Sequence, residues 1–386
     1  MLFLAHSFPR YAGDAAGSFL LRLARSLRVH GVAVTVVAPA APGLASIELY
    51  DGVRVERYRY APRQLETLAY GGTMVAQVSS SAGARAALIG LFAGGLLATL
   101  RARRRWQPHV LHAHWWVPGG VVGAVASRLT RLPLVTTLHG TDLRLARRVR
   151  ACRPMFRSVL YRSSTVTTVS SWLAAEVRAM APACRPVVAP MPVAVELFTP
   201  GGTRTRDRLL FVGRLDAQKG LEHLISAVAS MRTQVMLDVV GDGPARAALE
   251  ASARAAGLAS RITWHGQRPQ PTLADFYRSA AALVVPSIDE GLGLVAIEAM
   301  LCCTPVVAAN SGGLTDIVYH GRTGVLVPPA DPVALAAALD NLLSHPDCAR
   351  VMGEDGRAHA LSAFAPDAVA SRYAAIYHSA VAHSSR

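Results

Sequence analysis

Cysteine is scarce in this sequence and shows no pairing pattern. The five cysteines are an odd number, are widely separated and form no Cys-x-x-Cys motif. They therefore indicate neither a disulfide framework nor a zinc knuckle, and we expect a reducing, cytoplasmic location. The first ten residues, MLFLAHSFPR, lack the basic segment and the small-residue cleavage site of a secretory signal. They are predicted to form a buried first strand.

A hydrophobic run long enough to cross a membrane is also lacking. The longest run extends from Ala86 to Leu100, which is fifteen residues, whereas a membrane-spanning helix needs about 20. We predict that this run is a buried helix of the first domain. A helix lying at a membrane interface is the alternative, because Arg101 and three further arginines follow within five residues.

Lysine occurs once, at Lys219, and the other 39 basic residues are arginines. The net charge of +15 is unevenly distributed, because residues 1–198 hold 24 arginines and 8 acidic residues, whereas the remainder holds 16 basic and 17 acidic residues. This asymmetry predicts that the first half of the chain meets an anionic partner, such as a membrane surface, a phospholipid or nucleic acid.

Length and hydrophobic patterning predict the fold class. A chain of 386 residues suggests about two domains, and short β-branched strands alternate twice with amphipathic helices, which is typical of α/β units with parallel sheets. We predict two Rossmann-like domains, residues 1–197 and 198–365, and a final helix in 366–386 that crosses back to the first domain. The Pro- and Gly-bearing stretch 190–202 is the predicted linker.

The predicted strands follow the β-branched runs, and a helix over 15–30 is expected to end at Gly31, a typical left-handed cap. The predicted strands are 2–5, 32–38, 110–114, 134–138, 166–169 and 187–189 in the first domain, and 208–212, 235–240, 262–264, 283–286, 305–308 and 324–327 in the second.

Two motifs follow predicted strands of the second domain. The segment Gly213 to Gly220 places Arg214 and Lys219 where a strand ends and a helix begins, the position at which open α/β sheets bind ligands. A single compact ammonium in a chain that otherwise uses arginine favours a phosphate contact over a solvated lysine.

The second motif is Glu290-Gly291-Leu292-Gly293-Leu294 through Glu298 and Met300. A helix that begins near Gly293 would direct free backbone amides at a diphosphate. Glu298, about one turn into that helix, would accept hydrogen bonds from a ribose diol, and Glu290 would face a sugar.

These two segments together resemble the signature of glycosyltransferase family 4, retaining enzymes of the GT-B fold, and the two glutamates with seven residues between them are the specific part. The resemblance implies two Rossmann-like domains whose parallel sheets face across a cleft. It further implies that Arg214 and Lys219 hold the donor diphosphate, that Glu290 meets the donor sugar, and that Glu298 binds the ribose. The residues predicted to bind the nucleotide sugar are Gly13, Arg214, Lys219, Gly266, Arg268, Gly291, Gly293, Leu294 and Glu298.

Two segments of the first half carry weaker resemblance. The loop from Ser7 to Gly17 resembles the family loop whose amides approach the donor phosphate, although it lacks the Gly-Gly pair of many relatives. The resemblance implies Gly13 as a contact. His139-Gly140-Thr141-Asp142 resembles the family's His-Gly-x-Asp motif, whose histidine lies beside the donor sugar. His139 is therefore grouped with Glu290, Arg214 and Lys219 as the predicted catalytic residues.

Two other clusters in the first half each allow two interpretations. His112 and His114 lie on one face of a predicted strand and could bind a transition metal, but no nearby carboxylate or cysteine completes a ligand set. We expect no metal, and we expect His112 to be satisfied by backbone partners. Seven arginines between Arg144 and Arg162 alternate with apolar residues and predict either a membrane-surface helix or a solvated helix face.

The sequence thus predicts a retaining hexosyltransferase that needs no metal. The expected donor is a UDP- or GDP-linked sugar, and the expected acceptor is a lipid-linked or cell-envelope glycan, reached at the inner face of the cell membrane. Two alternatives stay open. One is a nucleotide-sugar epimerase or phosphorylase on the same fold, and the other is a non-catalytic membrane-binding or nucleic-acid-binding protein, although the basic half shows no recognisable nucleic-acid motif.

Overall fold

The computed structural model describes residues 1–14, 16–71 and 74–384, and it divides the chain into two compact units. Unit 1 comprises residues 1–192 and 366–386, and unit 2 comprises residues 193–365. The division between 192 and 193 lies five residues before the boundary predicted from the sequence. The start of the predicted helix at Ala15 lies outside the described residues.

Unit 1 contains a sheet whose strands separate most of its helices. Its strands are β1 Leu2–Leu4, β2 Thr35–Pro39, β3 Ile47–Tyr50, β4 Val53–Tyr58, β5 Leu111–His114, β6 Leu134–Leu138, β7 Thr165–Thr168 and β8 Val187–Val188. Its helices are α1 Ser18–Val29, α2 Met74–Ser80, α3 Ala82–Trp106, α4 Val121–Thr130, α5 Thr141–Arg148, α6 Arg153–Arg162, α7 Ser171–Met180 and α15 Pro366–Ser384, with short 3-10 turns at Arg63–Leu65 and Arg150–Cys152 and a π turn at Trp116–Gly120.

The strand order in unit 1 is β3-β4-β2-β1-β5-β6-β7-β8. All pairs are parallel except β3 with β4, which is antiparallel. The sequence prediction missed these two strands, and β3 shows why: as an edge strand it is exposed or half-buried at every position, so it lacks the apolar run that marks the buried strands. The chain runs outward from β1 on one side and then from β5 on the other, so a topological switch point lies between β1 and β5.

The apolar run predicted as a buried helix is part of α3, which is longer than expected at 25 residues. By length and composition α3 could cross a membrane, and a third of its most apolar window is buried. One face packs against β2, β4 and α4. The opposite face exposes Ile89 and Leu97, at 71% and 53% of their surface, so the prediction of a fully buried helix was wrong for this face.

The arginine-rich run 144–162 is not one helix. It forms the end of α5 and the whole of α6, separated by a 3-10 turn. Although the run itself contains no acidic residue after Asp142, Arg147 lies 3.4 Å from the carboxylate of Glu176 on α7. Arg153 and Arg157 donate to backbone carbonyls. Part of this positive charge therefore stabilises unit 1 itself.

Unit 2 repeats the alternation of strand and helix. Its strands are β9 Thr205–Val212, β10 Met236–Val240, β11 Ile262–Gly266, β12 Ala280–Val285, β13 Val306–Ala309 and β14 Val325–Val327. Its helices are α8 Leu221–Ser230, α9 Arg246–Ala255, α10 Leu273–Ser279, α11 Leu294–Leu301, α12 Leu314–Ile317, α13 Pro332–Ser344 and α14 Pro346–Phe364, with 3-10 turns at Ala217–Lys219 and Gln270–Thr272.

The order in unit 2 is β11-β10-β9-β12-β13-β14, and every pair is parallel. The chain builds outward from β9 to β11, then returns to β12 beside β9 and builds outward on the other side. The topological switch point therefore lies between β9 and β12. A core of leucine, valine, isoleucine and alanine side chains lies between this sheet and helices that include α8 and α13.

Helix α14 packs closely against the segment that follows α11. A Cβ atom at Gly353 would lie 2.0 Å from the backbone carbonyl oxygen of Cys303, whereas a Cβ at Gly356, one turn later, would lie no closer than 3.2 Å to the Met300 side chain and 3.3 Å to the carbonyl oxygen of Thr323. The absence of a side chain at Gly353 is thus what permits the two backbones to approach.

This difference predicts opposite results for two alanine substitutions in one helix. Gly353→Ala should lower the free energy of unfolding by about 2 kcal/mol because backbone atoms must move apart, which corresponds to about 4–8 °C in melting temperature. Gly356→Ala should change it by less than about 1 kcal/mol, because alanine's helix propensity offsets the mild contact. Thermal unfolding of the two variants checks this, and equal losses would contradict the assigned role of Gly353.

Candidate functional site

The carboxyl ends of β9 and β12 meet at the switch point of unit 2, and the two sequence motifs follow these two strands. Gly213 continues β9, since its amide donates to the carbonyl of Val240 at 3.0 Å. The loop containing Glu290 follows β12. Neighbouring parallel strands end at the same edge, so segments about 70 residues apart in the chain converge there.

Lys219 and Glu290 form the central contact between the two loops. The Lys219 ammonium lies 2.5 Å from the Glu290 carboxylate, and both side chains are largely buried, at 23% and 15% exposure. Gln218 adds two bonds, because its carbonyl accepts from the amide of Ile288 at 2.8 Å and its side-chain amide donates to the carbonyl of Asp289 at 3.0 Å. The single lysine therefore lies in a fixed position.

The backbone around Glu290 is held from a third segment. The Ser311 hydroxyl accepts from the amide of Asp289 at 3.0 Å, and the Glu290 carbonyl accepts from the amide of Gly313 at 2.7 Å. Gly312 has φ +63°, and a Cβ there would lie 2.4 Å from the Glu290 carbonyl oxygen. Glycine is thus required where this loop supports Glu290, a constraint that the sequence alone does not reveal.

The side chain of Arg214 is less constrained by contacts than that of Lys219. Its side chain is 56% exposed, and its Nε atom lies 3.6 Å from Asp216. Asp216 caps the short turn that leads to Lys219, since its carboxylate accepts from the Lys219 amide at 3.3 Å. An exposed, weakly held guanidinium can turn towards an anionic ligand at small cost.

The N-terminus of α11 provides backbone donors at the same edge. Gly293 precedes Leu294 in a left-handed conformation, with φ +95°, and no side chain caps the helix. Gly291 lies between Glu290 and this helix start. Uncapped amides and the positive end of the helix dipole together favour an anion.

Glu298 is buried inside unit 2, at 5% exposure. Its Oε1 accepts from the side-chain amide of Gln270 at 2.7 Å, and its Oε2 accepts from the Tyr277 hydroxyl at 2.9 Å. Burial and the neighbouring Glu298 carboxylate raise the pKa of Tyr277 well above its usual value, so the hydroxyl stays protonated and keeps donating. Two donors thus hold the carboxylate that was predicted to receive ribose hydroxyls.

The loop after β11 holds two of the predicted binding residues, Gly266 and Arg268. Gly266 ends β11 with φ +67°, and its carbonyl accepts from the amide of Gly241 at 2.9 Å. Arg268 is exposed and contacts none of the other predicted site residues in the described part of the chain. Gln270, two residues later, is the residue of this loop that reaches Glu298. Nothing in the sequence distinguished Gln270, or Tyr277, from other polar residues.

In unit 1, His139 lies directly after β6, on a loop tied down by Asp142. The buried Asp142 carboxylate accepts from the amides of Trp116, His139, Gly140 and Leu143 at 3.0–3.2 Å. Burial raises the pKa of Asp142, although these four donors act in the opposite direction. The acidic residue of the predicted motif therefore fixes the backbone of the histidine.

Aromatic rings surround His139. The ring of Trp115, which follows β5, lies 4.5 Å from the His139 ring, and Phe19 lies 5.3 Å away, both measured between centroids. The His6 ring also packs against Trp115, with 4.3 Å between the two ring centroids. Trp115 has φ +65°, which is a strained conformation for a bulky residue.

The loop after β1 contains the other predicted contact of unit 1. Gly13 has φ +86°, with no atom within 4 Å of an added Cβ. Asp14 holds the loop, because its carboxylate accepts from the backbone amide and the guanidinium of Arg10 at 3.1 and 2.7 Å. Burial alone would raise the pKa of Asp14, but the Arg10 and Ala16 donors outweigh it and lower the pKa.

His112 and His114 both point into the interior of unit 1. His112 is hydrogen-bonded to the hydroxyls of Tyr377 and Thr137, each at 2.7 Å, so the expectation of backbone partners was wrong. His114 lies 3.3 Å from His139, measured from Nδ1 to Nε2. Among the residues that the structure describes, no group of three metal-ligating side chains comes together.

Taken by itself, unit 2 offers a cation, a second mobile cation and helix amides for an anion, beside two carboxylates that can accept from hydroxyl groups. Unit 1 offers a neutral histidine held among aromatic rings. The groups of unit 2 suit a ligand that carries phosphates and several hydroxyls.

Comparison with known proteins agrees with this chemistry. The model of glycosyl transferases group 1 matches residues 198–359, and that of glycosyltransferase family 4 matches residues 16–197. The D-inositol 3-phosphate glycosyltransferase of Thermobispora bispora is 32% identical over 96% of this chain and 91% of its own. That of Corynebacterium diphtheriae is 31% identical over 95% and 90%.

Solved structures give the same fold. Sucrose-phosphate synthase from Thermosynechococcus elongatus superposes with a TM-score of 0.83 and 26% identity, covering 99% of both chains. Anabaena Alr3699/HepE, solved in complex with UDP-glucose, has a TM-score of 0.74 and 22% identity over 98% of this chain and 99% of that one. The chain has the GT-B fold and belongs to the glycosyltransferases of group 1 and family 4.

Proposed function

We propose that the chain is a retaining hexosyltransferase that moves a hexose from a UDP- or GDP-linked sugar to an anionic acceptor. The observation that carries the proposal is the Lys219–Glu290 contact at the switch point of unit 2. It places a cation suited to a diphosphate beside a carboxylate suited to a sugar. The Anabaena structure with UDP-glucose supports a uridine donor.

In this proposal the donor's diphosphate lies between Lys219, Arg214 and the N-terminus of α11. As the sugar leaves, negative charge develops on the diphosphate oxygens, and these groups stabilise it. No metal ion is needed for this stabilisation. Glu298, oriented by Tyr277 and Gln270, accepts from the ribose hydroxyls, with the Gln270 amide giving way to one of them.

Glu290 is proposed to face the transferring sugar, and His139 of unit 1 to donate a hydrogen bond to one of its hydroxyls. Attack of the acceptor on the same face as the departing diphosphate would retain the anomeric configuration. The configuration of the product, read from the anomeric proton coupling in an NMR spectrum, tests this step, and an inverted product would exclude it.

The acceptor proposal rests on charge. Unit 1 carries 26 basic and 8 acidic residues, a net charge of +18, whereas unit 2 carries 14 and 17, a net charge of −3. A lipid-linked phosphate or a polyol phosphate would be attracted to such a unit. The relatives named D-inositol 3-phosphate glycosyltransferase favour a polyol phosphate as the acceptor. A lipid-linked cell-envelope glycan is the other proposed acceptor.

Three other functions make different predictions for the same site. An epimerase would convert the nucleotide sugar without any acceptor, and a phosphorylase would release a sugar phosphate when given inorganic phosphate. A non-catalytic binding protein would leave the nucleotide sugar unchanged. Analysis of the sugar product with and without a phosphorylated acceptor separates all three from a transferase.

Removing the single lysine should weaken donor binding. Lys219→Ala removes a charge-assisted contact, so the dissociation constant for UDP or GDP should rise about 10- to 100-fold. The measurement is ligand-induced thermal stabilisation, with and without EDTA, and EDTA should have no effect. Arg206→Ala is the matched control, because Arg206 is an exposed cation near the start of β9, the strand that leads to the Lys219 loop.

Equal binding by wild type and Lys219→Ala would contradict the assigned diphosphate site. Loss of binding on addition of EDTA would contradict the metal-independent scheme. Selective stabilisation by uridine or guanosine nucleotides would identify the donor base.

We further propose that unit 1 binds the anionic inner face of the cell membrane through α3. Ile89, Ala93 and Leu97 lie at four-residue spacing on the exposed face of this helix, followed by exposed Arg101 and Arg105. An apolar stripe that ends in arginines suits the boundary between acyl chains and anionic headgroups.

The membrane proposal predicts flotation with phosphatidylglycerol vesicles and little flotation with phosphatidylcholine. The double variant Ile89→Glu and Leu97→Glu should reduce flotation at least about tenfold, since each buried apolar side chain contributes about 1.5–3 kcal/mol. Val333→Glu, at an equally exposed apolar residue of unit 2, is the control. Equal flotation of all three proteins, or none by the wild type, would contradict a role of α3.

A further inference from the structure

Four histidines gather at the carboxyl ends of β1, β5 and β6 in unit 1, and only His139 has a proposed role so far. The rings of His112 and His114 lie 4.0 Å apart, and those of His114 and His139 lie 5.5 Å apart, between centroids. His6 and His139 both pack on Trp115. The rings thus form a continuous group that reaches half-buried His139 from the buried rings of His112 and His114 within the unit.

Burial keeps this group uncharged. It lowers the pKa of His139 to about 3 and that of His6 to about 4, and it lowers the pKa values of His112 and His114 well below the usual range. A neutral imidazole carries one N–H donor and one bare nitrogen acceptor. Each ring must therefore place its single proton on one nitrogen or the other.

The surroundings of His114 decide where its proton lies. Its Nδ1 is 3.3 Å from His139 Nε2, whereas its own Nε2 is buried and has no hydrogen-bond partner among the described residues. An orphaned buried N–H is rarer and costlier than an orphaned acceptor. The proton therefore belongs on Nδ1 of His114, where it can be donated, and Nε2 is left bare.

The His114 ring has little freedom to turn away from this arrangement. His112 packs against it and is itself fixed because one of its ring nitrogens donates to, and the other accepts from, the hydroxyls of Tyr377 and Thr137. Phe3 packs at 4.9 Å from the His114 ring. On the other side, the backbone of His139 is held by Asp142. Donor and acceptor thus face each other from two fixed elements.

If His114 donates to His139 Nε2, that nitrogen is the bare one, and the single proton of neutral His139 lies on Nδ1. The Nδ1 atom of His139 makes no hydrogen bond within the part of the chain that the structure describes, and it is not among the buried unpartnered atoms. It is therefore available to a ligand.

We infer that His114 is a positioning residue that fixes the tautomer of His139, so that His139 presents an N–H donor at Nδ1 to the transferring sugar. The inference rests on the proposed function for the identity of the ligand, but the tautomer is a property of the protein alone. His139 then selects a hydroxyl oxygen that accepts, and it cannot itself remove a proton through Nδ1.

The tautomer can be read directly by NMR. In protein labelled with ¹⁵N-histidine, the nitrogen shifts distinguish protonated from bare ring nitrogens, and the His139 signals are identified by their loss in His139→Gln. The wild type should show His139 protonated at Nδ1 and bare at Nε2. A proton on Nε2 of His139, or a doubly protonated ring at neutral pH, would overturn the inference.

Two variants of His114 distinguish the effect of its N–H donor from the effect of the space that its ring fills. His114→Asn keeps an N–H near the position of Nδ1 and should preserve the Nδ1–H tautomer of His139. His114→Phe fills the space without a donor, so His139 should populate the other tautomer. His109→Phe is the control, because this exposed histidine lies before the start of the same strand. An unchanged tautomer in His114→Phe would also overturn the inference.

The turnover rates of the His114 variants connect the tautomer of His139 to the proposed function. His114→Phe should lower kcat about five- to tenfold while the affinity for UDP alone stays the same, because one neutral hydrogen bond to the sugar is lost. His114→Asn should lie closer to the wild type. If the tautomer changes as expected and turnover does not, His114 still positions His139, and it is the proposed sugar contact of His139 that fails.

Discussion

The order of the parallel strands in unit 2 is the constraint on which the candidate site depends. Because the chain returns to place β12 beside β9, two loops from distant parts of the sequence leave the sheet at one point. Lys219 lies near the end of one loop and Glu290 lies in the middle of the other, and their side chains meet at 2.5 Å. Gln218, Ser311 and Gly312 hold the backbones of the two loops at the positions that bring these side chains together.

The contact also has an energetic consequence for ligand binding. A largely buried ion pair has already given up water, so much of the desolvation cost of Lys219 is met during folding. A diphosphate arriving at this edge would offer Lys219 a more highly charged partner and free Glu290 to accept from hydroxyl groups. Arg214, which is mostly exposed, adds charge without such preparation.

Much of the fold could be predicted from the sequence, because buried parallel strands are apolar runs and short loops separate them from helices. The strand at 134–138 was predicted with its observed bounds. The edge strand β3 was missed because its residues face solvent, and the length of α3 was underestimated because its arginines interrupt the apolar run but not the helix. No apolar run in the sequence indicates that β3 pairs with β4 in the antiparallel direction, whereas such runs mark the buried parallel strands.

The candidate site could be predicted only in part. Motifs indicated Lys219, Glu290, Glu298 and His139, since each lies on a loop after a strand or in the helix that follows such a loop. The residues that hold them were not predictable, because Gln270, Tyr277 and His114 act through contacts that exist only once distant elements are packed.

The most direct test of this account is a crystal structure of the protein with UDP or GDP bound, whichever stabilises it. The account predicts a β-phosphate oxygen within hydrogen-bond distance of the Lys219 ammonium and of the amides at the start of α11, with ribose hydroxyls at Glu298. A diphosphate bound elsewhere, with Lys219 paired to Glu290 alone, would contradict it.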